Sequence, residues 1–233
     1  MVCNKIGLTW FKETETLDNG DVLVKSIGIR CDSCNQQTVP KTVDGTELIN
    51  KWIPEAYKDS RVEMLQEVSG LGAQTFERIM TWSHDKSLLL YGPPRRGKTR
   101  MVCQLLMRFA HEGHGIQFLD SQRFRRGVEE GLRMKYFDDW FSRAAKVRVL
   151  ALDDLGKIKG SEKRVEEELF NLVDTRVANG RPLIVTTNAS VDELKSRFSK
   201  AIAEPLIKRL QDCCTSFAIG MGDVGEEQEL ELV

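Results

Sequence analysis

From Ser87 onward the chain alternates two kinds of hydrophobic pattern. Short continuous apolar runs bounded by turn residues predict buried strands at 87–91, 115–119, 147–153, 182–187 and 215–219. Between them, apolar residues recur at helical spacing over 98–112, 121–134, 162–179, 190–197 and 202–211. Met101, Val102, Leu105, Leu106 and Phe109 form one such stripe, which stops at Gly113. Alternation of strand and helix implies βαβ units, hence an α/β fold with a largely parallel sheet and helices on both faces. Residues 51–84 read as helical, broken around Ser69-Gly70-Leu71-Gly72. Residues 1–50 differ: apolar and polar positions alternate around the hairpin signal Asp18-Asn19-Gly20, with Val22, Val24, Ile27 and Ile29 in short strands. The expected organisation is an N-terminal β-rich module over 1–50, a helical linker over 51–85, an α/β core over 86–222 and an acidic tail over 223–233.

Composition narrows this picture modestly. A chain of 233 residues suits one substantial domain with a small appendage. Its 41% hydrophobic and 30% charged content suits a soluble globular protein. A net charge of −1 gives no global polyanion signature, so nucleic-acid binding would need a local patch. No run of 18 apolar residues and no charged-then-apolar N-terminus is present, so the expected location is cytoplasmic, away from membranes. Six cysteines in such a chain argue against disulfides.

The chemistry concentrates where strands end. Gly92-Pro93-Pro94-Arg95-Arg96-Gly97-Lys98-Thr99, followed by Arg100, lies between a strand and a helix and fits the spacing of a phosphate-binding loop. Such a loop turns backbone N–H groups inward around phosphates. The following helix adds its positive N-terminal end. Lys98 is expected to reach the β- and γ-phosphates, and Thr99 to bind Mg²⁺. Many loops of this kind carry glycine where Arg95 stands, so a positive φ there would be strained. Arg95 and Arg96 either face the triphosphate or a polyanion, or are solvated loop residues.

A second strand, Val147-Arg148-Val149-Leu150-Ala151-Leu152, ends in Asp153 and Asp154. Ligands of open parallel sheets sit beyond the carboxyl ends of strands. Asp153 is therefore expected to meet the Mg²⁺ held by Thr99, and Asp154 to orient or deprotonate an attacking water. A third strand ends in Thr186, Thr187 and Asn188, and Asn188 is a candidate to touch the γ-phosphate or the water. Arg209 lies in a helix just before the final strand.

Taken together, "GPPRRGKT", "LALDDLG", "IVTTN" and "LIKRL" resemble, in this order, the motifs of AAA+ P-loop ATPases. The doubled aspartate before Leu-Gly looks like the DnaC/IstB group of helicase loaders and transposition helpers, over roughly residues 60–222. The resemblance implies an ATP site at a subunit interface of a homo-oligomer and no C-terminal lid. It implies Lys98 as phosphate lysine, Thr99 and Asp153 as Mg²⁺ residues and Asp154 as second acid. Asn188 would be the first sensor, and Arg209 the arginine finger with Lys208 as fallback. It also implies contact with single-stranded DNA. The region to inspect is 121–148, where Arg123, Arg125, Arg126, Arg133, Lys135 and Arg143 lie among Phe124, Tyr136, Phe137, Trp140 and Phe141. Either these cations and rings track and stack a strand, or the rings are core and the cations solvated. Arg123, Arg125 and Arg126 are the residues singled out for DNA.

Cys31 and Cys34 have the spacing of half a zinc site, with Cys3 a third ligand if the hairpin returns it. Cys103, Cys213 and Cys214 read as core thiols. The resemblance makes an ATP-dependent loader of a replicative helicase the leading expectation, with an IstB-like transposition helper, recruiting a transposase, the alternative. A P-loop small-molecule kinase ranks below both, because the sequence offers neither an arginine-bearing lid nor an acceptor pocket.

Overall fold

In a strand, successive side chains face opposite ways, so a run such as Leu88-Leu89-Leu90 must be covered on both faces. The computed structural model describes residues 8–16, 22–30, 44–58, 62–158 and 163–221, and it covers this run as required. Leu88 and Leu90 enter one hydrophobic layer, and Leu89 the other. In β3 (Ser87–Tyr91), β4 (Ile116–Asp120), β5 (Val149–Asp153), β6 (Leu183–Thr187) and β7 (Cys214–Ala218) the same division recurs. Val149 and Ala151 face one layer, Leu150 and Leu152 the other.

These strands form one parallel sheet in the order β4-β5-β6-β3-β7. The chain leaves β3 for the far edge of the sheet, returns through β5 and β6, and then crosses to the other side of β3. The tips of β5, β6 and β3 therefore lie side by side, with Leu152 opposite Val185 and Leu90 opposite Thr186.

One layer is built by α1 (Gly45–Trp52), α2 (Val62–Ser69), α3 (Ala73–Met80) and α4 (Lys98–His111). The other is built by α5 (Ser121–Arg133), α6 (Phe137–Lys146), α7 (Lys163–Ala178), α8 (Val191–Arg197) and α9 (Lys200–Cys213). Two of these helices were absent from the sequence pattern. Helix α1 crosses the boundary expected at residue 50 and buries Ile49 and Ile53 against α4 and the sheet. Helix α6 takes the residues read as stacking platforms. Phe124 is fully buried, and Phe137, Trp140 and Phe141 pack half-buried on the same layer. Of the rings in that region, Tyr136 is the exposed one.

Arg176 on α7 joins elements from inside. It is fully buried, and its guanidinium donates to five carbonyls: Ala144, Ala145, Val147, Arg148 and Pro182. The first two are at the end of α6, whose last carbonyls have no partner within the helix. Burial lowers the Arg176 pKa to about 9, which still leaves the group charged at neutral pH.

The N-terminal strands β1 (Leu8–Thr16) and β2 (Val22–Arg30) form an antiparallel pair in which Leu8 faces Arg30 and Thr16 faces Val22. The Asp18-Asn19-Gly20 turn, Cys3, Cys31, Cys34 and the acidic tail lie outside the described residues. Among the described residues, no helix is long and apolar enough to cross a membrane.

Candidate nucleotide site

The loop after β3 is held from beneath. Ile219 donates its N–H to the Tyr91 carbonyl at 2.8 Å, and its own carbonyl would lie 2.3 Å from any Cβ at residue 92. Gly92 also has φ 131°, so glycine is required there on two counts. The turn then passes through Arg95, at φ 62°, the strained conformation anticipated for a side chain at this place. Arg95 and Arg96 are exposed and border the cleft above the loop. Arg100 stacks on the Tyr57 ring at 5.3 Å.

Lys98 opens α4 and is buried. Its ammonium donates to the Gly92 and Pro93 carbonyls at 2.8 and 2.7 Å, which holds the charge inside the loop. Burial lowers its pKa, while Asp154 and Asp153 act to raise it. The next residue, Thr99, donates its hydroxyl to Asp153 Oδ1 at 3.0 Å across 54 positions of sequence.

The aspartates are organised by a residue of β6. Thr186 donates its hydroxyl to Asp153 Oδ1 at 2.7 Å and accepts the Asp154 N–H at 2.8 Å. One hydroxyl thus fixes both acids. Asp153 is buried, and burial pushes its carboxyl pKa up; bonds from Thr186 and Thr99 oppose this, while Asp154 and Asp120 add to it. A carboxylate beside other carboxylates gains from a nearby cation, and the Thr99 hydroxyl with the Asp153 carboxylate is an all-oxygen pair suited to a hard divalent ion. Among the described residues there is no cluster of three or more His, Cys, Asp or Glu able to hold a metal by themselves.

Asp154 turns back through left-handed backbone, φ 57° and ψ 52°, and enters the 3₁₀ turn Leu155–Lys157. Its Oδ1 accepts from Asn188 Nδ2 at 3.1 Å, and its Oδ2 lies 2.6 Å from Lys157 Nζ. The sequence reading placed Asn188 here but missed Lys157 and the double role of Thr186. Arg197 on α8 donates to the Gly156 carbonyl at 2.7 Å and pins this turn to the element that follows Asn188. On the far side of the cleft, Tyr57, Met64 and Val68 give an apolar wall beside Gly97.

Two groups of predicted residues lie elsewhere. Arg209 is on α9, half exposed, and pairs with Asp174 of α7. Arg123 is taken up by the fold: it donates to the Trp52 carbonyl at 2.8 Å and lies over Phe118. Arg125 and Arg126, two and three residues further along α5, line a second cleft with Arg133 and Arg197. Cys103 is a core thiol, its pKa raised by burial to about 12, whereas Cys213 and Cys214 are half-buried with sulfurs 3.6 Å apart.

The fold is shared with a helicase loader and with a replication initiator. A DnaC helicase loader superposes with a TM-score of 0.56 at 19% identity, over 71% of this chain and 99% of that one. For DnaI the values are 0.54 and 17%, over 75% and 93%. DnaA of Aquifex aeolicus bound to AMPPCP gives 0.55 and 18%, over 63% and 45%. In sequence, an ATP-binding protein in an insertion sequence of Mycobacterium tuberculosis is 27% identical over 126 residues, 54% of this chain. The replication initiator DnaA of Paraburkholderia xenovorans is 29% identical over 149 residues, 62% of this chain. The chain spans 50% of the first relative's length and 25% of the second's. The model of the family described as IstB-like ATP binding protein matches residues 67–227, well over half of the sequence, and the chain belongs to that family.

Proposed function

We propose that this chain hydrolyses ATP between subunits of a homo-oligomer and uses the cycle to place a replicative helicase on single-stranded DNA. The observation that carries the hydrolytic part is the Thr186 hydroxyl, which binds the Asp153 carboxylate and the Asp154 amide at once, beside Lys98 and Thr99. The adenine lies against Tyr57, Met64 and Val68, and the phosphates lie in the loop from Gly92 to Thr99. Lys98 exchanges its two loop carbonyls for β- and γ-phosphate oxygens. Thr99 and Asp153 would hold Mg²⁺, which when bound neutralises charge on the β- and γ-phosphates. Asp154 accepts a proton from the attacking water, Asn188 orients that carboxylate, and the bond from γ-phosphorus to the bridging oxygen breaks to give ADP and phosphate.

Arg209 acts on a neighbour's nucleotide. Its half-exposed side chain, which does not line the nucleotide cleft of its own subunit, supports this reading. Arg125 and Arg126 contact the DNA backbone through their basic cleft. A second reading, helper of a transposase, draws on the insertion-sequence relative and the family name. Co-purification of the chain with a replicative helicase or with a transposase separates the two.

The chemistry is tested by contrast. Lys98→Ala should lose ATP binding; Asp154→Asn should bind ATP and hydrolyse it slowly. Arg209→Ala should lose roughly 10³-fold in rate at unchanged affinity. Mixing Arg209→Ala with Lys98→Ala subunits should restore part of the activity. A mixture that stays inactive although both variants assemble excludes action between subunits.

A further inference from the structure

The described part of the chain ends against the phosphate loop. After Ile219, whose N–H closes on the Tyr91 carbonyl, the backbone turns through Gly220 at φ 77°. A Cβ at Gly220 would lie 2.5 Å from Cγ of Arg96, so the stem of that arginine runs directly over this turn. Met221 follows and is exposed. Arg96 lines the nucleotide cleft, and residues 222–233 therefore start at the mouth of that cleft. They hold Asp223, Glu226, Glu227, Glu229 and Glu231, and no lysine, arginine or histidine. Leu230 and Leu232 alternate with the last of these acids.

The cleft offers this segment two matching features. Arg95 and Arg96 are exposed at its rim, and among the described residues neither has a hydrogen-bonding or ion-pair partner. Arg95 holds its guanidinium there although its backbone, at φ 62°, is in the region that favours glycine. In the same cleft Met64 and Val68 leave an apolar wall, 58% and 42% exposed. Cations next to an apolar wall suit a nucleotide, and they suit equally a peptide in which glutamates alternate with leucines. At about 3.3 Å per residue, the stretch from Met221 to Glu231 reaches up to about 33 Å. Every carboxylate of the segment can thus meet Arg95 or Arg96.

We infer that the acidic segment 222–233 docks on Arg95, Arg96 and the wall of Met64 and Val68 in its own subunit, where it competes with ATP. Its carboxylates take the place of phosphates at the loop, and its leucines take the place of the adenine. The inference rests on the reading of this cleft as the nucleotide site, and it adds an internal competitor to it. A short flexible tether holds such a segment at roughly millimolar effective concentration. Exposed ion pairs are individually weak, so ATP displaces the segment readily, with an apparent affinity lowered about fivefold.

The test is calorimetric titration of the full chain with Mg-AMPPCP at low salt. A variant carrying Glu226→Gln, Glu227→Gln, Glu229→Gln and Glu231→Gln should bind about fivefold more tightly than the parental chain. A chain truncated after Met221 should show the same gain. A synthetic peptide of residues 222–233, added to the truncated chain, should weaken binding again at about millimolar concentration. With Arg95→Ala and Arg96→Ala in place, the four glutamine substitutions should change nothing. Parental affinity in both tail variants overturns the inference. So does an equal gain in the absence of the two arginines, which would mark general repulsion between the segment and the nucleotide. If instead Lys98→Ala binds AMPPCP as the parental chain does, the reading of the cleft fails and the competitor fails with it.

Discussion

Replacing Arg176 by methionine tests how this sheet is joined to its helices. Methionine keeps the unbranched apolar stem and removes the guanidinium. Nη1 serves the carbonyls of Ala144, Ala145 and Val147 at 2.8, 3.2 and 2.9 Å, and Nη2 serves Arg148 and Pro182 at 3.4 and 2.7 Å. A net hydrogen bond contributes about 1 kcal/mol, and a buried acceptor left alone costs about 1–3 kcal/mol. Five carbonyls would thus suggest about 5 kcal/mol or more. Three of them share one nitrogen, and removing the charge also removes its desolvation cost. Both corrections lower the figure, to about 3–4 kcal/mol. Urea unfolding followed by circular dichroism measures it directly. Arg176→Lys should recover only part, because one ammonium cannot reach both the end of α6 and the Pro182 carbonyl. These carbonyls lie at the ends of the strands remote from the aspartates, so ATP affinity of the folded fraction should stay parental. A loss below about 1 kcal/mol for Arg176→Met would refute the claim that these bonds hold the layer, since it would equal a single ordinary hydrogen bond.

Thr186→Val keeps the shape of the side chain but unties Asp153 and the Asp154 amide; kcat should fall roughly 10–100-fold with ATP affinity nearly unchanged, and a parental kcat would show that the hydroxyl does not position the acids. Gly127→Ala would gain helix propensity on an open surface, but here the new methyl would meet the Trp140 indole at 2.4 Å; thermal unfolding should show destabilisation by about 1–3 kcal/mol, and a stabilised variant contradicts the tight α5–α6 contact. Burial lowers the pKa of both His84 and His114 below the unfolded value of about 6.5; Arg148 opposes the charged form of both and Glu112 favours it, while at His84 the neighbouring His114 also opposes it and Asp85 favours it. The unfolded chain therefore binds these protons first, so their contribution to stability is complete above about pH 6.5 and declines as pH falls below it. The melting temperature of His84→Asn should fall less than the parental one between pH 7.5 and 5.5, and equal slopes would exclude His84 from this effect.

The strands and the main acids were legible because each rests on a local signal. An apolar run bounded by turns needs no tertiary knowledge, and neither does a glycine loop before a helical stripe. Expectations drifted where one signal has two physical causes. Phe124, Trp140 and Phe141 beside arginines fit a stacking surface as well as a core helix, and packing against α7 and the sheet decided for the core. Helix α1 was hidden because the alternating stretch before it coloured the reading up to residue 50. Arg123 looks in sequence like its neighbours, but only its position over Phe118 and beside Trp52 takes it out of the basic cleft. Lys157 meets Asp154 through a left-handed backbone that the sequence Asp-Asp-Leu-Gly-Lys does not announce. Arg176 reads as one more charged helix residue, and its five carbonyls come from segments as far as 32 positions away.

The support of the phosphate loop by Ile219 has a consequence in time. Strand β3 and its loop leave the ribosome well before β7, which pairs with β3 residue by residue from Ser87 with Cys214 to Tyr91 with Ala218. At ordinary elongation rates the interval is roughly ten seconds. During it, one flank of β3 is an unpaired apolar edge of the kind that recruits other chains. Nor can Gly92 rest on its final support until Ile219 has emerged. The phosphate loop therefore takes its final form only after β7 has paired with β3, and the flank of β3 left bare until then is the surface a chaperone would meet.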